Sequence, residues 1–472
     1  PSTTPTTMRA MTTRPMPTTH RTRCRRRARA SSSTMPMGRR ASSSVTKSTM
    51  KTTTRVHLAP RCGRRRASSS FRRVETFAAA SDAAETGEKA AIVNVVKAIF
   101  GAGGFAIPWA FAQGGLVLVG STLLASLVFA LEALRMLIKS QDVLVEAGDA
   151  EAGEVATYAG LTERAMGAVG DTTCRVMNVV TCFGITVSYL IFIAETLKVV
   201  APTFGYVGTP TTTAMLTLVG PLMIGLSWLR EMSGVAVISA VGTASVLIGM
   251  GVTMAVALGN PLQFGALPVS NFAAFPGFFG TVAFLFFIHF TLFSIKEAMP
   301  RPEKFFSAAT KAFTSAAAIA FVFGVVGAAG FGANVSSVVV TMLSGPVGVA
   351  VQLLLCLNLL STYPIMAQSA LRISENIFAD KASGAVATPV SLGVRTAFTA
   401  AALWTAANVP NFGVVLGYVG GVCCSILSLV LPATILYLAQ KKVGNEITSN
   451  ELARIATVFV TGCTCIVLSI VL

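Results

Sequence analysis

Apolar positions in this chain come in long stretches that begin at Ala91, and glycine, proline and charge punctuate the polar positions between them. A helix of about 20 apolar residues is long enough to cross a hydrocarbon core, because each residue advances it by about 1.5 Å. Eleven such stretches occur, near 92–113, 115–138, 174–200, 213–229, 233–258, 276–296, 312–331, 345–367, 391–409, 413–439 and 453–472. They predict an all-α polytopic membrane protein with eleven transmembrane helices. Little more than Gly114-Gly115 parts the first two, which requires a tight turn. The longest polar segment, 139–173, holds Asp142, Glu146, Asp149, Glu151, Glu154, Glu163 and Asp171, and predicts a solvated loop with a short helix near 161–166.

Composition adds that only 12% of residues are charged against 53% hydrophobic, too few to cover a soluble surface. The net charge of +17 suggests a nucleic-acid partner until its distribution is read: residues 1–74 carry +19 and the remainder −2. The basic character belongs to a Ser-, Thr- and Arg-rich tail, residues 1–88, which predicts disorder ahead of a helical domain at 89–472. No nucleic-acid partner is expected. Richness in Ser and Arg with few acids is the signature of a transit peptide, although a solvated tail or an over-extended reading frame fits equally. The membrane that holds the chain (plastid or other organelle, vacuolar, or plasma membrane) therefore stays open.

Charge also orients the helices. With the N-terminus inside, bases such as Arg135, Lys139, Arg230, Lys296, Lys304, Lys311, Arg372, Lys381, Arg395 and Lys442 fall on the inner side, while 201–212, 259–275, 332–344 and 408–412 hold no charged residue. Lys198 is the base left near the outer face, and the C-terminus is predicted outside. Cys423-Cys424 and Cys463-x-Cys465 have the spacing of metal ligands, but neighbours on a helix point apart, so no metal or cofactor is expected.

The first span carries the most chemistry: Asn94-Val-Val-Lys97-Ala-Ile-Phe-Gly101-Ala-Gly103-Gly104-Phe105-Ala-Ile-Pro108. Each glycine costs a helix interior about 1 kcal/mol relative to alanine and proline about 3, so this helix is predicted to break at bilayer depth. Lipid cannot satisfy freed backbone groups, which must then line a cavity. Small residues that let helices pack closely are the simpler alternative. Ionisable groups within spans are few: Lys97, which snorkelling also explains, His289, and Glu132 and Glu195 near helix ends. One histidine without metal-type spacing argues against an intramembrane enzyme, and dissimilar spans argue against a symmetric pore.

The stretch from Asn94 through Lys97, Gly101, Gly103 and Pro108 to Gly114-Gly115 resembles the first helix of the amino acid/auxin permease family. Tyr158-Ala-Gly-Leu, Phe284-Leu-Phe-Phe-Ile-His289, Met299-x-x-Pro302-x-x-Phe305, Thr362-Tyr-Pro364, and Arg395 with Pro410-Asn-Phe412, Gly417, Gly421 and Pro432 resemble later segments of that family, in order. The resemblance implies a five-plus-five inverted-repeat fold with helices 1 and 6 broken, and a secondary active transporter of amino acids coupled to protons or sodium. It places the substrate's carboxylate and amino groups against Gly101, Ala102, Gly103, Gly104 and Phe105, and the side chain toward Phe284 and Phe286. Ser361 and Thr362 would neighbour a cation, with Asn94, Lys97 and His289 as further coupling candidates. Two positions depart from the family pattern. Gly104 replaces an aliphatic residue, and Ile288 replaces a small one before the histidine, which weakens the expectation of an unwound helix 6. A transporter-like nutrient receptor, or a carrier of another small organic solute, would keep the same site.

Overall fold

The computed structural model describes residues 87–229, 235–378, 387–409 and 411–471, with side chains described from residue 242 onward in the second of these. The expected disorder of the tail, and the bases Arg230 and Lys381, lie outside the described residues; Gly87 and Glu88 already belong to the first helix. All regular structure among the described residues is helical. Helix α1 (Gly87–Ile99) ends in a 3-10 turn, Ala102–Ala106, and continues as α2 (Ile107–Gly114) after a bend of 52°. Then follow α3 (Leu116–Glu146), α4 (Tyr158–Val200), α5 (Thr212–Ser227) and α6 (Val235–Gly259). The pair α7 (Phe275–Phe286) and α8 (His289–Glu297) precedes α9 (Phe305–Phe331), α10 (Gly345–Asn376) and α11 (Thr388–Asn408). The chain closes with α12 (Phe412–Tyr418), α13 (Leu431–Val443) and α14 (Ser449–Val471). Among the described residues, eight helices are long and apolar enough to cross a membrane, or nine if α1 and α2 count as one bent span.

The turn after α2 is as tight as its glycines require. Gly115 takes φ of 89°, a left-handed conformation costly for residues with a Cβ, and Leu116 and Val117 donate to the carbonyls of Pro268 and Val269 at 3.2 Å each. The polar loop is shorter than its composition suggests. Helix α3 runs on to Glu146, because Ser140 bonds back to Met136 O and Gln141 donates to Val155 O, so polar side chains there close contacts instead of seeking water. The short helix expected near 161–166 is the first part of α4, set off from the rest by Gly167 at φ 69°.

Charged side chains gather at one end of the bundle, where α1 begins. Lys311 pairs with Glu88, Lys139 with Glu451, Arg454 with Glu132, and Lys442 with Asp149. The Lys442 hydrogen bond holds the Asp149 carboxyl below the usual carboxylate range. Toward the opposite end Lys198 is matched locally by Glu195 at 3.0 Å, with Thr212 bonded to both. The strongest tie is buried. Arg395, with 2% of its side chain exposed, donates to Glu375 at 2.6 Å, to Gln368 at 3.1 Å, and to the carbonyls of Ser227 and Leu229. It thus satisfies the end of α5 while joining α10 to α11, and removing one partner of such a buried pair typically costs about 3–5 kcal/mol.

Candidate functional site

The first helix breaks where its glycines cluster. Its last regular hydrogen bond runs from Phe100 N–H to Val96 O at 2.9 Å; Gly104 N–H then closes a tighter turn on Gly101 O at 3.2 Å. Pro108 lies in the first turn of α2, where a missing N–H removes no helical bond, so the proline starts the second half as much as it ends the first. Helix α7 stops at Phe286, and Phe287 and Ile288 adopt non-helical angles (φ −93°, ψ 63° and φ −105°, ψ 21°) before α8 starts at His289. The isoleucine therefore does not prevent an interruption there. Gly103 brings the two breaks together: a Cβ at that position would lie 2.6 Å from Phe284 Cδ1.

Beside this junction lies a cavity of about 280 Å3, walled by α1, α4, α6, α7, α8, α10 and the π-helical stretch that follows α12. Of the residues singled out in the sequence, Asn94, Lys97, Gly101, Phe284 and Thr362 line it. The wall is mainly apolar, with Phe287, Phe290, Ile185 and Leu359 beside Phe284. Its polar groups are few, as in most small-molecule sites. Lys97 and Asn358 converge from α1 and α10: a Cβ built on Gly242 of α6 would touch Asn358 Oδ1 and lie 3.5 Å from Lys97 Nζ. Thr362 donates to Asn358 O one turn earlier, and Thr291 to Ile288 O at 2.9 Å, within the second break. The Tyr189 hydroxyl lies 4.0 Å from where a Cβ on Gly101 would sit, so a side chain at that glycine would enter the cavity. Among the described lining residues there is no carboxylate.

Other sequence candidates lie elsewhere. Ala102, Gly103, Gly104 and Phe105 are buried in the 3-10 turn and pack against neighbouring helices. Phe286 is fully buried and faces Phe313, ring centroids 6.2 Å apart. His289 is fully buried and turned away from the cavity, its Nε2 donating to Ala130 O of α3 at 2.8 Å. Ser361 bonds to Leu357 O and does not line the cavity. Tyr189, Asn358 and Thr291 escaped the sequence reading, and Cys424 was weighed there only as a metal ligand. A polar side chain inside an apolar span needs a reason, and that signal was available at Asn358.

Beyond the break the helices close tightly. Phe105 meets Phe192 and Phe323 edge-on, at 6.0 and 6.2 Å, and Phe192 meets Phe412 at 5.8 Å. Trp109 is wedged between two glycines: a Cβ on Gly277 or Gly413 would lie 2.9 or 2.5 Å from its indole. The cavity therefore extends from the break toward the charged end, where Asn94 and Ile295 line it, and aromatic rings seal it on the other side. Helix α12 passes into α13 through two π-helical stretches, Val419–Cys424 and Ile426–Val430, and Cys424 reaches the cavity from the first. Such wide turns recur at functional sites in helices.

A bundle of apolar helices enclosing a small cavity at a helix break, with few polar groups, has the character of a membrane carrier. Residues 85–472 match the model of the family described as transmembrane amino acid transporter protein. The chain belongs to that family, the amino acid/auxin permeases, and is a multi-pass membrane transporter, not an enzyme. It is 25% identical over 364 residues to amino acid transporter ANT1 of Arabidopsis thaliana, covering 72% of this chain and 82% of that one. It is 26% identical over 379 residues to amino acid transporter AVT3A of the same plant, covering 78% and 85%. Among solved structures it is similar to the crystal structure of MhsT in complex with L-phenylalanine, with a TM-score of 0.47 and 14% identity over 80% of this chain and 97% of that one.

Proposed function

We propose that this protein is a secondary active transporter that carries amino acids by alternating access, coupled to protons or sodium. The observation that carries the reading is the cavity at the broken first helix, reached from the charged end and sealed by Phe105, Phe192, Phe323 and Phe412 on the other side. A site closed on one side and accessible on the other is one half of an alternating cycle. The relatives named above are amino acid transporters, which supports the substrate class. The cavity suits a small zwitterion: Lys97 and Asn358 offer a polar end, and Phe284, Phe287 and Phe290 an apolar one.

The eleven-span architecture belongs to the same proposal. Helix α5, shorter but apolar, and α11, at Thr388–Asn408, would complete eleven spans beside the eight long helices and the bent pair. Interruptions in the first and sixth spans support a five-plus-five repeat, since each repeat would then open on a broken helix. The charged end would face inside, which puts the far end of α14 outside. Uptake of radiolabelled amino acids by purified protein in proteoliposomes tests the proposal. Accumulation along an imposed proton or sodium gradient is the expected result. Binding without uptake would replace the transporter with a nutrient receptor.

A further inference from the structure

We propose that the charged ends of α3 and α14 form a headgroup site for an anionic phospholipid, whose phosphate is held between Arg135, Lys139 and Arg454. The three bases line a recess of about 50 Å3 between α3, α13 and α14, together with Glu132 and Glu451. That is room for about two waters, or for a phosphate group in their place. Three positive charges meet two negative ones there, so the carboxylates leave one positive charge uncancelled. The site does not depend on what the central cavity carries.

The side chains turn their donors outward. Glu132 and Glu451 are 19 and 16% exposed, whereas Arg135, Lys139 and Arg454 are 55, 47 and 51% exposed. Each carboxylate thus sits behind the base it pairs with. Lys139 meets Glu451 at 2.6 Å, Arg135 meets Glu132 at 3.3 Å, and Arg454 takes the other oxygen of Glu132. A guanidinium has five N–H donors and an ammonium three, and each base gives one to its carboxylate, so most of them are left for an anion in front. The Arg135 guanidinium lies over the Phe306 ring of α9, 5.2 Å from its centre, which steadies it.

The surroundings make that anion a lipid's. Arg135 and Lys139 stand where the apolar stretch of α3 gives out near 138, and Arg454 where that of α14 begins near 453, which is the level of bilayer headgroups. Leu124 and Val128 are exposed on the same face of α3 as Arg135, eleven and seven residues before it. Leu124 therefore lies about 16 Å deeper along the helix, half of the hydrocarbon thickness, and an acyl chain can follow that track within one leaflet. Basic recesses between membrane helices suit anionic headgroups in general. Here the lipid adds a tie to α3 at the charged end of α14, a helix otherwise seated along Ile455, Val458, Gly462 and Ser469.

The full chain, reconstituted in nanodiscs of phosphatidylcholine with or without phosphatidylglycerol at constant ionic strength, tests the site. Phosphatidylglycerol is expected to raise the unfolding midpoint by about 3 °C or more, because a ligand of the folded state stabilises it. Arg135→Gln/Lys139→Gln/Arg454→Gln is expected to lose that rise. Arg301→Gln/Lys304→Gln/Arg372→Gln removes as much charge from outside the recess and is expected to keep it. A rise that survives in the first variant, or vanishes equally in the second, overturns the proposal in favour of bulk charge. Should the first variant fail to fold, Arg135→Gln decides, since it leaves Glu132 with Arg454 and Glu451 with Lys139. In native mass spectrometry it is expected to retain phosphatidylglycerol on fewer molecules than wild type, and equal retention overturns the site. Inorganic phosphate added to phosphatidylcholine discs is expected to leave the midpoint unchanged; a rise equal to that with phosphatidylglycerol would give the recess to a soluble anion instead.

Discussion

The molecule interrupts two spans, and it does so by different means. Between α1 and α2 the break is written into local sequence: glycines at 101, 103 and 104 with Pro108, and a bend of 52°. Between α7 and α8 no glycine or proline lies at the break; Phe287 and Ile288 leave the helix, and His289 is anchored to Ala130 O of another helix. The first interruption lowers the local cost of leaving the helix, whereas the second is held by tertiary contacts. The first should therefore fail sterically when side chains are added, and the second should fail when its anchor is cut.

The largest effect is expected at the first break. Gly103→Leu would drive a side chain into Phe284, and uptake should fall at least about 100-fold with membrane insertion and monodispersity intact. Unimpaired uptake would show that the close approach of the two breaks is dispensable. His289→Ala comes next. It removes the bond that His289 adds to Ala130 O, which stays within the α3 ladder, at a cost of about 0.5–1.5 kcal/mol, visible as a lower unfolding midpoint. His289→Gln, which can still donate, should recover most of that loss and keep the pH profile of uptake. A flattened pH profile in His289→Gln would instead give the histidine a proton-carrying role. Ile288→Gly should be milder, within about threefold in KM, because the chain already leaves the helix there. A loss as large as that of Gly103→Leu would mean that the isoleucine holds the second break open.

The smallest effect belongs to a pair outside both breaks. Asp149→Asn removes the half-buried partner of Lys442 and Arg164 and should leave uptake unchanged at neutral pH. The folded-state acidity of Asp149 is strengthened by Lys442, so what the pair adds to stability is present above the unfolded carboxylate range and is lost as pH falls through the lowered value. The unfolding midpoints of wild type and Asp149→Asn should therefore converge in acid; a gap that persists there would assign the residue another role.

The same contrast explains what could be read from residues alone. Long apolar stretches, the Gly114-Gly115 turn and the glycine break follow from local cost, and each reappears as helix, turn and bend. The cavity lining was legible from local composition at Asn94, Lys97 and Gly101, and through the family resemblance at Phe284 and Thr362. The inward turn of Asn358 and Tyr189, the outward turn of His289 and the π-helical stretches of the α12–α13 segment depend on which helices become neighbours. Periodicity carries no information about that.

The wedge of Trp109 between Gly277 and Gly413 has a practical side. The chain has three tryptophans, and the other two are well exposed, Trp228 at 46% and Trp404 at 70%. With those two replaced by phenylalanine, intrinsic fluorescence would come from one indole lodged in the sealed half of the pathway. Its emission colour would shift as that seam parts and water or lipid reaches the ring, giving an optical gauge of the closed side without any attached dye.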